Sequence, residues 1–247
     1  EIFEASRLLH AGNIIAVKGI GGFHLMCDAR NASTVEKLRI RKHRPDKPFA
    51  VMTLNTASLE KFAKLSDMSN KPLFSTSSPI VLLPKQENCD AQLKHIAPNV
   101  SDIGCMLPYT PIHYLLFQAL SENSRNNDWL NTVNDVVLAV TSANLSGEPL
   151  ISDNSECMEK LANIADYFLT HDRDIIAPCD DSVVQTGVQI GVPPSFIRRA
   201  RGFAPQSIEL PQSGPSVLAC GALLKNTFCL TQNNKAHLSP HIGDLKS

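Results

Sequence analysis

The eleven residues KLRIRKHRPDK, Lys37 to Lys47, hold six lysines or arginines against the single acid Asp46, in a chain whose formal net charge is only −1. Guanidinium forks and ammonium groups are the ordinary partners of phosphate. Ser33 with Glu36 three residues on predicts a capped helix start. Pro45 and Pro48 predict that this helix is over near Arg44, and Phe49 to Leu54 reads as the strand that follows. Lys42, Arg44 and Lys47 would then stand at a helix-to-strand junction that can aim several cations at one point, with Arg39 nearby on the helix surface. The competing reading is a solvated basic face. Two further stretches suit the same chemistry. Thr141-Ser142-Ala143-Asn144-Leu145-Ser146-Gly147 follows a strand, and its small hydroxyl and amide side chains can meet phosphate or ribose oxygens; alternatively it is a polar turn. Ile197 to Gly202 places Arg198, Arg199 and Arg201 at another strand end, or on a surface patch.

Other chemistries are disfavoured. Ser142 is not in a G-x-S-x-G elbow and has no evident His/Asp partner, which argues against a serine hydrolase. His237 and His241 have the i, i+4 spacing of a metal pair, but Ser239-Pro240 breaks the helix they would need, and no metal site is expected. The seven cysteines are odd in number and lack a C-x-x-C pair, so they read as small apolar residues of a reducing compartment. Near-neutral charge argues against a general polyanion binder and confines anion contacts to a local patch. With no secretory segment and no apolar run near 18 residues, the expected location is cytoplasmic and no membrane partner is expected. The 247 residues suit one large domain with a piece of another, and the absence of an initial Met suggests a piece of a longer chain.

The elements that must position these groups alternate between helix and strand. Helices are predicted at Phe3–His10, from Ser33, briefly from Thr56, from Thr110-Pro111 to Leu120, and from Ser152 to about Ala162. Strands are predicted at Asn13–Lys18, Phe49–Leu54, Ser78–Leu83, Asp135–Thr141, Tyr167–Thr170, Ser182–Gln185 and Ser195–Arg199. Of these, DVVLAVT (Asp135 to Thr141) has the unbroken apolar run of a strand buried on both faces. The Asn-rich stretch from Asn123 to Asn134 reads as a surface loop. Residues 205–215, with three prolines, read as a linker, and the short strands after it as the opening of a second domain.

Taken together, "KGIGGFHLMCDARNASTVEKLRIRKHRPDKPFAVM", "SPIVLLPK", "SDIGCMLPYTPIHYLLF", "TSANLSGEP" and "RRARGFAP" resemble the YrdC/Sua5 family, and within it the YrdC-like domain of the HypF carbamoyltransferases of hydrogenase maturation. The tail "VLACGALLKNTFCLTQNNKAHLSPHIGDL" is similar to the start of the Kae1-like, sugar-kinase-fold domain that follows in HypF. The resemblance implies an α/β fold: a twisted mixed sheet with flanking helices and a large concave nucleotide cavity over residues 1–204, a linker at 205–215, and a truncated Kae1-like β segment at 216–247.

It also implies a reaction. Carbamate, supplied from carbamoyl phosphate, would join ATP with Mg²⁺ to give carbamoyl-adenylate and pyrophosphate. A Kae1-like domain would pass the carbamoyl group to the C-terminal cysteine of HypE, where it becomes a cyanide ligand of the nickel–iron centre. The family's lysine–x–arginine motif falls on Lys42 and Arg44, with Lys47 beside them as catalytic residues. Its serine–x–asparagine motif falls on Ser142 and Asn144, its later serine strand on Ser182, and its C-terminal arginine on Arg198 or Arg199, with Arg201 a third possibility. The first loop, with Lys18 and Gly22 counted as substrate contacts, departs from the threonine-bearing turn of the threonylcarbamoyl-adenylate synthases. Two alternatives stand beside this reading: threonylcarbamoyl-adenylate synthesis for tRNA modification, and a double-stranded RNA-binding module.

Overall fold

The computed structural model describes residues 1–121, 127–145, 147–186, 194–222, 226–240 and 242. Ser146 of the serine-rich motif and His241 of the spaced histidine pair lie outside them.

Strands β1 (Ile15–Lys18), β2 (Phe23–Asp28), β3 (Ala50–Thr53), β4 (Ile80–Pro84), β5 (Asp102–Met106), β6 (Val137–Ser142), β7 (Tyr167–Leu169), β8 (Val183–Gln185) and β9 (Ser195–Arg198) form one sheet, in the order β7-β1-β2-β6-β3-β5-β4-β8-β9. The β1–β7, β3–β5 and β4–β8 pairs are parallel and the others antiparallel. The sheet is therefore mixed, as expected. Strand β6 is buried on both faces because its alternate residues serve two cores. Leu138 and Val140 join the core under helices α1 (Ile2–His10) and α6 (Pro111–Leu120). Val137 and Ala139 join the core on the other face. That second core takes residues from α2 (Ala32–Arg41), α4 (Asp67–Leu73) and α7 (Asn154–Lys160), and from the short helices α3 (Thr56–Leu59) and α5 (Cys89–Gln92).

Several local expectations shift. The capping side chains of α2, α3 and α7 are Asn31, Asn55 and Asp153, each accepting a backbone N–H of the first turn, rather than Ser33, Thr56 and Ser152. Helix α2 is stopped before the prolines act. His43, at φ 49°, takes the left-handed position; its N–H bonds the Ile40 carbonyl at 3.1 Å and the Arg44 N–H bonds the Arg39 carbonyl at 3.0 Å. This is a Schellman turn, and it swings Lys42 and Arg44 away from the helix axis. Strands β2 and β5 were not anticipated: β2 follows directly on a glycine-rich turn, and β5 carries Gly104 in its interior. Residues Asn127–Leu130 of the Asn-rich stretch form a 3-10 turn.

A second, four-stranded sheet runs β10 (Ser207–Glu209), β13 (Lys235–Leu238), β12 (Phe228–Gln232), β11 (Val217–Cys220), all antiparallel. Strand β10 lies inside the stretch read as a linker. Its backbone groups pair with β13, so the second body begins earlier than the composition suggested. Asn233 and Asn234, both with positive φ, close the β12–β13 hairpin in the manner of a type I′ turn. Among the described residues no helix is long and apolar enough to cross a membrane.

Candidate functional site

A cavity of about 790 Å³ opens where the ends of β6 and the starts of β2, β3, β4 and β8 meet. Its floor follows from register. Val140, Ala50, Gly104 and Leu82 are lateral neighbours across β6, β3, β5 and β4, and all four line the cavity. The two middle positions carry almost no side chain, which leaves a flat apolar surface. A Cβ at Gly104 would already stand 3.0 Å from Ile80 Cγ2. A glycine inside a strand often marks such a close approach; this was the sequence signal for the floor, and it was missed.

The basic stretch divides into three groups. Lys37 and Arg41 pair with Asp166 at 2.8 and 2.7 Å, away from the cavity. Arg39 is not on the helix surface: at 7% exposure it donates to the carbonyls of Ile96 (2.9 Å), Arg44 (2.8 Å), Pro45 (3.0 Å) and Lys47 (3.2 Å). It thereby shapes the loop that carries the next cations. Lys42, Arg44 and Lys47 line the cavity, as does His43. Lys42 Nζ donates to the Ser142 and Asn144 carbonyls, both at 2.8 Å, and to Asn144 Oδ1 at 3.0 Å. Ser142 Oγ donates to the same Oδ1 at 2.8 Å, and Asn144 Nδ2 to the Glu148 carbonyl at 2.8 Å. The lysine and the serine–x–asparagine segment are thus one hydrogen-bonded unit. The Arg44 guanidinium donates to Thr141 Oγ1 at 2.8 Å and to the Lys47 carbonyl at 3.0 Å, and also bonds the Pro48 carbonyl. It shares the Phe49 ring with Arg39, at 4.9 and 4.5 Å from the centroid. Burial, then the positive charges of Arg39 and Arg198, push the Arg44 guanidinium down to about 10. Arg198 stands on the cavity wall, its Nη1 3.8 Å from Asp180 Oδ1.

Four expected contacts are not on the cavity wall, each for a packing reason. Lys18 is 3% exposed and donates to the His171 carbonyl at 3.1 Å. Gly22 leaves room for Leu150, whose Cδ2 would be 2.2 Å from a Cβ there. Ser182 is fully buried; its hydroxyl donates to the Arg201 carbonyl at 2.9 Å and accepts from the Ala200 N–H at 2.8 Å. Arg199 turns away to the Gln206 carbonyl at 2.8 Å.

Sequence reasoning also missed a buried cluster at the inner end of the cavity. His24 and Asp181 are both on the wall, with His24 Nε2 2.8 Å from Asp181 Oδ2. Arg201, 9% exposed, reaches Asp181 Oδ1 at 2.9 Å, bonds the Ser77 and Ser78 carbonyls, and stacks 3.7 Å over the Tyr109 ring. The Tyr109 hydroxyl is 3.4 Å from Asp181 Oδ1, and His113 packs edge-on against Tyr109. Burial alone would raise the Asp181 carboxyl, but His24 and Arg201 outweigh it and hold the group well below the usual carboxylate range. Burial pushes the His113 imidazole down to about 3, with His24 adding to the effect. Burial, then the Asp181 charge, drives the Tyr109 phenol well up.

Residues 7–200 match the family Sua5_yciO_yrdC, described as "Telomere recombination", and residues 212–247 match the HypF Kae1-like domain. The chain belongs to the Sua5/YciO/YrdC family. It is similar, over nearly its whole length, to part of several carbamoyltransferases. It is 46% identical over 99% of its length to carbamoyltransferase HypF2 of Cupriavidus necator, and 38% identical over 98% to the probable carbamoyltransferase HypF of Methanocaldococcus jannaschii. The chain spans 30% and 29% of those two proteins. Among solved structures, full-length HypF in its phosphate- and nucleotide-bound form superposes with a TM-score of 0.87 at 42% identity, covering all of this chain and 36% of that one. P. abyssi Sua5 complexed with L-threonine, at 19% identity, gives 0.64 over 81% of this chain and 54% of that one, a likeness of fold.

Proposed function

We propose that this chain binds ATP in the cavity and joins carbamate to it, giving carbamoyl-adenylate and pyrophosphate, as the adenylating part of a HypF-type carbamoyltransferase. The observation that carries the reading is the cavity's division of labour. An apolar floor of Val140, Ala50, Gly104 and Leu82 suits a planar base, while Lys42, Arg44 and Lys47 on one wall and Arg198 on another suit a polyphosphate. Carbamate is an anion and needs no general base to attack the α-phosphate. The site has to supply alignment and positive potential. The Arg44 guanidinium, crowded by Arg39 and Arg198, gains most from an incoming anion. Mg²⁺ accompanying ATP usually rides on the phosphates with one or two carboxylates; Asp46 and Asp180 on the cavity wall fit that role, and the ion would neutralise phosphate charge. In this reading carbamoyl phosphate is the source of carbamate. A Kae1-like domain hands the product to HypE for conversion to the cyanide ligand of a nickel–iron centre.

Titration of ATP and Mg²⁺ by calorimetry, followed by pyrophosphate release with carbamoyl phosphate or with threonine and bicarbonate, tests the proposal. ATP binding with release dependent on carbamoyl phosphate is expected. Release dependent on threonine would replace it with threonylcarbamoyl-adenylate synthesis. RNA binding undiminished by ATP and steep in salt would place nucleic acid on a separate surface.

A further inference from the structure

Leu150 stands on the cavity wall with Ser142, Asn144 and Glu148, and the chemistry proposed above makes no use of it. Its neighbour Ile151 is spliced into the sheet. The Ile151 N–H donates to the Ala143 carbonyl at 3.2 Å, and the Ile151 carbonyl accepts from the Phe23 N–H at 3.0 Å. The carbonyls on either side of Ala143, those of Ser142 and Asn144, are the ones that receive Lys42 Nζ. Asn144 Nδ2 holds the other end of the segment through the Glu148 carbonyl at 2.8 Å. The backbone that carries Leu150 is therefore anchored on the same residues as the lysine.

The side chain is backed as firmly as the main chain is held. A Cβ at Gly22 would overlap the Leu150 isobutyl group, so the leucine rests directly on the backbone of the Gly19–Gly22 turn. That turn is closed by the Gly19 N–H on the Gly22 carbonyl at 2.8 Å, and the Cys179 N–H ties it to a further lining segment through the Gly21 carbonyl at 2.8 Å. Leu150 is half-buried and has no depth into which to retreat. It offers an anion no hydrogen bond. What it fixes is the space left beside groups that grip one, and a wall that cannot shift rejects an added carbon by overlap. Ser142 lies two residues beyond Val140 of the floor along β6, about 7 Å, which is the order of a ribose's span. With a base on the floor, the first phosphate falls at Ser142 and Asn144, and a group bonded to that phosphate falls against Leu150.

We propose that Leu150, seated on Gly22, sets the size limit of the acyl substrate and confines it to a carbamate with no substituent on nitrogen. The inference rests on the adenylating reading above. In that reaction a carbamate oxygen bonds the α-phosphorus, the bond from that phosphorus to the bridging oxygen of the β-phosphate breaks, and pyrophosphate leaves. A carbamate formed on an amine or an amino acid can undergo the same step, so chemistry does not exclude it and the pocket has to. Size does not separate carbamate from bicarbonate; the limit concerns what the nitrogen carries. One carbon more or less against an apolar wall is worth about 10–200-fold in discrimination.

The test measures pyrophosphate release from ATP and Mg²⁺ by the parent and by Leu150→Ala. The acyl sources are ammonium carbamate, methylamine equilibrated with bicarbonate to give N-methylcarbamate, and threonine equilibrated with bicarbonate, each rate taken above that with bicarbonate alone. In the parent, release with N-methylcarbamate is expected to be at least about tenfold slower than with carbamate, and slower again with the threonine mixture. In Leu150→Ala the ratio of the N-methylcarbamate rate to the carbamate rate is expected to rise about tenfold. Because the ratio is read within one protein, a general loss of activity in the variant does not imitate this result. Leu150→Met, close in volume, is expected to keep the parent ratio. If Leu150→Ala does not fold, Leu150→Val is read in the same way. A parent that uses N-methylcarbamate as well as carbamate, or a ratio unchanged in the shortened variant, overturns this inference and leaves adenylation standing. A parent that releases no pyrophosphate with carbamate overturns the adenylating reading and this inference with it.

Discussion

Two charged regions face the same cavity and are built on opposite terms. At the end of α2, Lys42, Arg44 and Lys47 face the cavity with Asp46 as the one acid of the run. Lys42 and Arg44 are held mostly by backbone carbonyls, by the Asn144 side chain and by the Thr141 hydroxyl. Such dipoles fix these side chains on a wall that Asp46, Glu148 and Asp180 share. Around Asp181 the charges interlock. Arg201 and His24 face one carboxylate out of solvent, and the group as a whole adds little field. The first region supplies potential; the second supplies direction and shape. The difference teaches that buried charge is available to a ligand only where its protein partners are neutral.

The largest expected effect breaks the second region. Asp181→Asn leaves Arg201 and His24 facing a neutral amide in a dry site. Removing one partner of a buried ion network typically costs about 3–5 kcal/mol. A urea midpoint shifted by that much is expected. A shift under about 1 kcal/mol would show that Asp181 is not what holds this end of the cavity together.

Arg44→Ala breaks the first region. Loss of one strong electrostatic donor is expected to slow pyrophosphate release on the order of a hundredfold or more, about 3–4 kcal/mol in the barrier. Since the guanidinium also bonds Thr141, Lys47 and Pro48, stability should fall too, by about 1–3 kcal/mol. Arg44→Lys should restore only part of the rate, because an ammonium cannot reproduce a planar fork. Release at the parent rate in both variants would remove Arg44 from the site.

The contrast between the regions also explains how far each was legible. The basic junction is local: its cations lie within a few residues of one helix end, and a charge run followed by prolines is visible in any sequence. Even so, Arg39 was misplaced, because nothing in the run says which guanidinium turns inward onto the carbonyls of its own loop. The Asp181 cluster gathers residues 24, 109, 113, 181 and 201 from separate segments, so no spacing announces it. Ser182 and Arg199 were expected in the site; Asp181 was not, although it adjoins Ser182 in the chain, and Arg201 was weighed only as a third possibility beside Arg198 and Arg199. All four lie just outside the strands β8 and β9, where no regular alternation fixes the direction of a side chain in advance. The twisted mixed sheet was legible from alternating helix and strand signals together with the family resemblance. Strand β5 was hidden by Gly104, the residue that makes the cavity floor flat.

A pH dependence sharpens the comparison at smaller magnitude. His113 is held neutral in the fold, with its imidazole near 3 against an ordinary 6.5. The unfolded chain therefore takes up this proton before the folded one does. The stabilising contribution is present above about pH 6.5 and is lost progressively as pH falls toward the folded value. Between about pH 6.5 and pH 5 the loss amounts to about 2 kcal/mol. His113→Phe should flatten that part of the profile. Urea midpoints of both proteins across this range check it; parallel profiles would show that His113 is not the group titrating.

The smallest expected effect is a control within the basic run itself. Lys37 belongs to the same charge cluster as Lys42 and Arg44 and would be counted with them on composition. Yet its ammonium is 2.8 Å from Asp166 Oδ2 and the side chain is about a third exposed, at 35%. Asp166 keeps Arg41 at 2.7 Å and the Ile14 N–H at 2.9 Å when Lys37 is lost. A partly exposed ion pair of this kind contributes about 0–1 kcal/mol. Lys37→Ala should therefore lower the urea midpoint slightly and leave both ATP affinity and pyrophosphate release at parent values. The argument turns on location rather than charge: both variants remove one positive charge from the same eleven residues, but only Arg44→Ala removes it from the cavity wall. If Lys37→Ala slows release as Arg44→Ala does, the site responds to the summed charge of the helix end, and the division of the run into scaffold and cradle is wrong.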